Sequence, residues 1–170
     1  MNWEAIGAVG EIVGALAVVV TLAYLAIQVR NSTRIARSAT RQAIAETAML
    51  HGANLVADKG LMAALLRDLK GLDVDEVDWV RLLVHNYVTL RHYENIHYQH
   101  LTGMIEADEW QGFRENLKAV LEWRSMREFW ANEGHYYSDA FRAEVSGLLA
   151  ELADVDSATS HAYVLGQGQS

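Results

Sequence analysis

No cysteine and no proline occur among the 170 residues, and no lysine or arginine precedes Arg30. Without cysteine there are no disulfides, no thiolate metal ligands and no thiol nucleophile. Without proline, and with much Ala, Leu, Glu and Arg, little in the chain interrupts a long helix. A cleaved leader needs a basic stretch ahead of a short apolar core and a small-residue cleavage site, and the opening MNWE carries no positive charge. Enzyme signatures are also missing: there is no P-loop, no dinucleotide glycine fingerprint after a strand, no GxSxG and no HExxH. Nothing in the spacing joins a nucleophile to a base, so the expectation is a non-enzyme with no catalytic residue and no cofactor.

What is present begins with Ala5 to Val29, AIGAVGEIVGALAVVVTLAYLAIQV, which carries a single charge at Glu11. A bilayer core of about 30 Å needs roughly 20 mostly apolar helical residues. The uncharged run from Ile12 to Ile27, extended by Ala5 to Gly10, reads as an uncleaved transmembrane anchor. The alternative is an unusually apolar core helix of a soluble bundle. Arg30, Arg34, Arg37 and Arg41 follow at once, and basic residues beside a span stay on the cytoplasmic side. Residues 1–4 are therefore expected outside and the remainder in the cytoplasm. The four arginines share one helical stripe suited to anionic lipid head groups. A topology signal alone is the other reading.

An ionisable residue within a span is a functional hypothesis by default. The helical neighbours of Glu11 are Gly7, Ala8, Gly14 and Ala15, and Gly10 with Gly14 forms a GxxxG spacing that lets helix backbones approach closely. Gly7, Gly10, Glu11 and Gly14 thus form a candidate association face, for a homo-oligomer or a partner membrane protein. Two other readings stand beside it: Glu11 reaching the outer interface by snorkelling, and several copies of Glu11 lining a pore. The apolar continuity from Ile12 to Leu22 argues against a wide wet pore.

Charge is split along the chain. Residues 1–44 hold four Arg and two Glu, a net of +2, while the remainder holds 10 basic and 20 acidic residues, a net of −10, consistent with −8 overall. An acidic domain is a poor nucleic-acid binder, because phosphate contacts need Lys and Arg.

Beyond the span, the first helix is expected to run to about Asp58, with Ile35, Ala39, Gln42 or Ala43, Glu46, Met49 or Leu50 and Ala53 tracing a modest apolar face. Lys59 and Gly60 form the expected stop, with Gly as a left-handed cap, and a short helix covers Leu61 to Leu69. Asp73 to Met104 is the longest soluble helix, opened by Asp73 three residues before Glu76. Its predicted core stripe is Val80, Leu83, Tyr87, Leu90, Glu94, His97, Leu101 and Met104. Trp110, Phe113, Leu117 and Val120 or Leu121, then Trp123, Met126, Phe129 and Trp130, continue the apolar pattern as core. Gly134 and His135 make a break. Ser138 caps a last helix, Asp139 to Asp154, whose apolar side is Phe141, Val145, Leu148, Leu149 and Leu152. From Val155 onward the chain is polar and Gly-rich, and a loose end is expected.

The chemically richest stretch is Arg91 to His100, RHYENIHYQH. Glu94 and His97 make an ExxH, the spacing used in di-iron carboxylate bundles, but such a site needs a second ExxH and two more Glu, and no second ExxH occurs. His97 with His100, and His85 with His92, also share faces. Further metal ligands would have to come from His51, Glu46, His135 or a second subunit. The leading reading assigns no metal and makes Glu94 and His97 a buried polar pair, extended by a Tyr or Arg, that fixes helix register. A metal-binding bundle at Glu94 and His97 and a pH-responsive His cluster are the alternatives.

The runs NWEAIGAVGEIVGALAVVVTLAYLAIQVR, YENIHYQHLTGMIEADEW and SMREFW, followed by a Tyr-Ser-Asp-Ala-Phe cap, resemble a family of small bacterial single-pass membrane-anchored helical proteins of unassigned function. The resemblance covers residues 2–150 and leaves 155–170 outside it. It implies a bacterial inner membrane and a helical cytoplasmic domain, and brings no catalytic residues.

The expected architecture is all-α: a short extracytoplasmic segment 1–4, a transmembrane helix 5–29, a juxtamembrane helix 30–58, a cytoplasmic helical bundle 59–154 and a flexible tail 155–170. The expected function is a membrane-anchored structural or interaction module, either a homo-oligomer or an accessory subunit. The alternatives are a channel component using Glu11 and a metal-binding bundle.

Overall fold

The computed structural model describes the backbone of residues 2–166 and the side chains of 2–4 and 7–154. Among the described residues there are six α-helices, one 3-10 turn and no strand, the all-α class expected of a proline-free chain with helical periodicity. Two compact units divide it, residues 1–42 and 43–170. Helix α1, Trp3–Ala57, is 55 residues long. It is the one described helix long and apolar enough to cross a membrane.

The second unit contains the 43–57 part of α1, then α2 (Lys59–Leu69), α3 (Glu76–Leu101), α4 (Ala107–Leu121), α5 (Arg124–Glu133), the 3-10 turn Gly134–Tyr136, and α6 (Asp139–Gly166). α3 is central: it packs against α2, α4, α5 and α6. α6 extends past the expected end at Asp154. The loose end expected from Val155 falls partly on residues 167–170, outside the described residues.

Local chemistry accounts for the boundaries. Asp58 alone separates α1 from α2, accepting the N–H groups of Gly60 and Leu61 at 2.9 and 3.0 Å, as an N-cap carboxylate does. This corrects the expected stop at Lys59 and Gly60. Gly60 is helical, and its bare Cα makes room for Arg81, since a Cβ there would stand 2.8 Å from a guanidinium nitrogen. Among the described residues the left-handed positions are Gly71 (φ 65°) and Gly103 (φ 75°), just beyond α2 and α3, where glycine carries no steric penalty. α3 is capped by Asp75, which accepts the Asp78 N–H at 2.9 Å, not by Asp73.

Three apolar clusters form the core. The largest joins Leu90, Leu117, Leu121, Met126, Phe129, Phe141, Val145 and Leu148. Trp110 is buried with Ile44, Ile96 and Ile105, and Ala64, Leu65 and Leu82 form the third. The late aromatic residues thus serve largely as core, as their spacing predicts.

α3 buries Leu90 and His97 of the expected stripe, and the rest of its buried face differs. Leu82, His85, Asn86, Thr89, Leu90, Ile96 and His97 are buried, while Val80, Tyr87 and Leu101 stand about half exposed. Apolar residues occur on two sides of this helix, and its neighbours select the side that includes His85, Asn86 and Thr89. The 43–57 part of α1 likewise docks through Ile44 and His51, and the expected Met49 and Leu50 face is exposed.

Asp68 ties α2 to α5. Its side chain is fully buried, accepts the Ser125 N–H at 3.2 Å and receives Arg124 Nε at 3.3 Å. No side chain of the Trp123 N-cap satisfies the first turn of α5, so the cap comes from another helix. Asp68→Ala is expected to lower unfolding stability by about 1–3 kcal/mol, measured by denaturant titration of helicity. An unchanged midpoint would contradict the role.

Candidate functional site

Arg91 and Glu94, three residues apart on α3, face one another and the start of α6. Arg91 Nη1 donates to Glu94 Oε2 at 2.6 Å, and the other carboxylate oxygen accepts the Ser138 N–H at 2.8 Å. Glu94 therefore occupies the N-terminal end of α6, where unpaired amides and the helix dipole favour a negative charge. Burial pushes its carboxyl up, but the Ser138 amide and the Arg91 guanidinium outweigh that, and the net pKa is lowered. Arg91 also donates to the Tyr136 carbonyl at 3.2 Å and lies 4.3 Å from the centroid of the Tyr137 ring. Burial pushes the Tyr137 phenol up to about 12. The sequence motif thus builds a latch that holds the 134–138 turn on α3.

His97 takes a different environment. Its ring packs against Trp110 at 5.1 Å and Phe141 at 5.8 Å, and Glu94 is only partly buried. Glu94 takes Arg91 and the Ser138 amide as its hydrogen-bond partners, and its charge also acts on the His97 ring. Trp110 also stacks with His100 at 5.4 Å. Burial lowers the His97 pKa; Glu144 and Glu94 oppose this and His100 adds to it. Among the described residues no three His, Asp or Glu side chains form a group that could hold a metal.

A second His cluster joins α1 to α3. The His51 and His85 rings stack with centroids 4.9 Å apart, and His51 Nε2 lies 3.1 Å from Thr89 Oγ1. Burial, then His51, lowers the His85 pKa to about 4. Burial lowers His51 too, and burial followed by His51 lowers His92. The His51 and His85 rings line a groove of about 350 Å³ whose other walls include Asn54, Leu55, Asp58, Leu61, Val80, Arg81, Val84 and Val88. A second groove of about 340 Å³ lies between α3, α5 and the 3-10 turn, lined by Leu83, Val84, Tyr87, Phe129, Glu133, Tyr136 and Tyr137. Val84 belongs to both. Neither groove is named by a motif; the shared faces of His85 and His92 were the only hint, and the partner His51 lies 34 positions earlier than His85 in the chain.

In the first unit, Gly7, Gly10, Glu11 and Gly14 are exposed, and each of the three glycines has open space where a Cβ would stand. Arg30, Arg34 and Arg41 are exposed and Arg37 is half-buried. Comparison with known proteins finds no matching family model, curated protein or solved structure.

Burial of His85, with His51 beside it, makes stability depend on pH. In the unfolded chain His85 takes a proton near its ordinary 6.5, and in the fold only near 4. The unfolded state therefore binds more protons between these values, and stability falls as pH drops from about 6.5 to about 4. After allowance for screening, the loss is on the order of 1–2 kcal/mol. Denaturant midpoints at pH 7.5 and 4.5 should separate in the wild type and separate less in His85→Phe, where the other buried histidines remain; equal separation in both would contradict this.

Proposed function

We propose that the chain is a membrane-anchored helical interaction module without enzymatic activity. Residues 5–29 cross a bacterial inner membrane, residues 1–4 lie outside, and the helical bundle is cytoplasmic. Arg30, Arg34, Arg37 and Arg41 meet anionic head groups, and the Gly7, Gly10, Glu11 and Gly14 face supports association with another span.

One observation carries this reading. The apolar side chains of α1 between Ile12 and Val29 remain 50–65% exposed, and no part of the most apolar stretch of the helix is buried. A soluble core helix hides such a surface. In a bilayer the same surface is solvated, and the helix satisfies its own backbone hydrogen bonds. Orientation rests on the arginines after the span and their absence before it.

Two measurements test the placement. The full chain should remain in the membrane pellet after alkaline extraction; complete release would overturn the anchor. In intact spheroplasts, Asn2→Cys should react with an impermeant maleimide while the bundle resists added protease. The opposite pattern would overturn the orientation. Replacing all four arginines by glutamine is expected to weaken binding to anionic vesicles by about 1 kcal/mol per charge, measured against neutral vesicles.

A further inference from the structure

α3 presents a second apolar face that its own chain leaves open. Val77, Val80, Val84, Tyr87 and Val88 recur at helical spacing and are 42–63% exposed. They form a ridge. On one side of the ridge lies the groove containing His51, His85 and Arg81, and on the other the groove containing Tyr136, Tyr137 and Glu133. A ridge with a groove on each flank is a shape that fits itself, since helices pack by seating ridges in grooves.

We infer that this surface is a two-fold interface with a second copy of the same chain, α3 lying parallel to α3 with Val84 close to the axis. A two-fold axis in the interface along α3 places each copy's Arg81 side of the ridge against the other copy's Glu133 side. A perpendicular axis would instead set each groove against its own kind. The charges favour the first arrangement. Arg81 is 43% exposed and uses one nitrogen on Asp78 at 2.5 Å, leaving further donors for a carboxylate. Glu133 is the only charged side chain in the lining of its groove. Arg81 lies three residues, less than one helical turn, from Val84 on α3, and Glu133 lines a groove that also includes Val84. The uncharged ridge between them lets two acidic bundles meet without apposing like charges at the centre. An isologous contact of this kind closes at two copies.

The inference deepens the proposed interaction module by naming its partner, and it is read separately from the anchor. The chain has no native cysteine, so a single introduced thiol reports one position. Full-length Val84→Cys, oxidised mildly in membranes before extraction, should cross-link to twice the 19.0 kDa chain mass. Glu115→Cys, outside the lining of both grooves, should remain a monomer. Arg81→Glu and Glu133→Arg should each reduce the Val84→Cys cross-link several-fold, and the two together should restore most of it. Val84→Glu, at an exposed position, should give monomeric bundles of unchanged helicity. A monomeric Val84→Cys chain, equal cross-linking at Glu115→Cys, a cross-link to a different protein, or a double exchange no better than the single changes would each overturn the interface. Membrane fractionation of the same samples tests the anchor independently, because Val84 belongs to the bundle.

Discussion

The first unit is governed by an apolar surface that its own chain does not cover. Between Ile12 and Val29, α1 displays Val, Leu, Ile and Ala side chains with nothing of the protein packed on them. In water such a surface is costly at roughly 25 cal/mol per Å². In the proposed placement a bilayer covers that surface and removes the cost. The second unit holds its own helices together.

It does so by exchanging helix caps between neighbours. Asp68 on α2 caps α5, and Glu94 on α3 caps α6. Each carboxylate also takes an arginine, Arg124 or Arg91. The start of α5, which its own N-cap side chain leaves open, and the start of α6 are thereby fastened to helices formed earlier in the chain. A buried carboxylate with both an amide and a guanidinium partner is satisfied, which explains how an acidic bundle tolerates negative charge inside. Between α4 and α6 the same logic recurs at the surface, where Arg114 pairs with Glu144 at 2.7 Å and with Glu151.

Much of the helical plan is legible in the sequence. Gly71 and Gly103 mark helix ends because only glycine is comfortable at those dihedrals, and the Trp110 to Phe141 pattern reads as core because helical spacing and large apolar area coincide. The buried side of α3 is legible only in part, at Leu90 and His97. Val80, Val84 and Val88 make as good a stripe as Leu82, Thr89 and Ile96, and the choice is made by α2, α5 and the end of α1. The partners of Glu94 are equally hidden, since Ser138 lies 44 positions away and periodicity says nothing about contacts at that distance. The Arg91–Glu94 spacing alone was local enough to read. The 43–57 part of α1 reverses expectation for the same reason: Ile44 and His51 are ordinary in sequence and become anchors only because α3 offers Ile96 and Thr89.

The proposed module thus has two parts with separate physics, a helix whose surroundings are lipid and a bundle whose stability is internal. Hydrogen exchange of the full chain reconstituted in lipid discs tests that division most directly, read by mass spectrometry peptide by peptide. The account predicts that amides from Ile12 to Val29 resist exchange for hours in lipid and that the protection is lost when the lipid is removed, while α3 to α5 exchange at the same rate in both. Rapid exchange of Ile12 to Val29 in the discs, or equal protection with and without lipid, would contradict it.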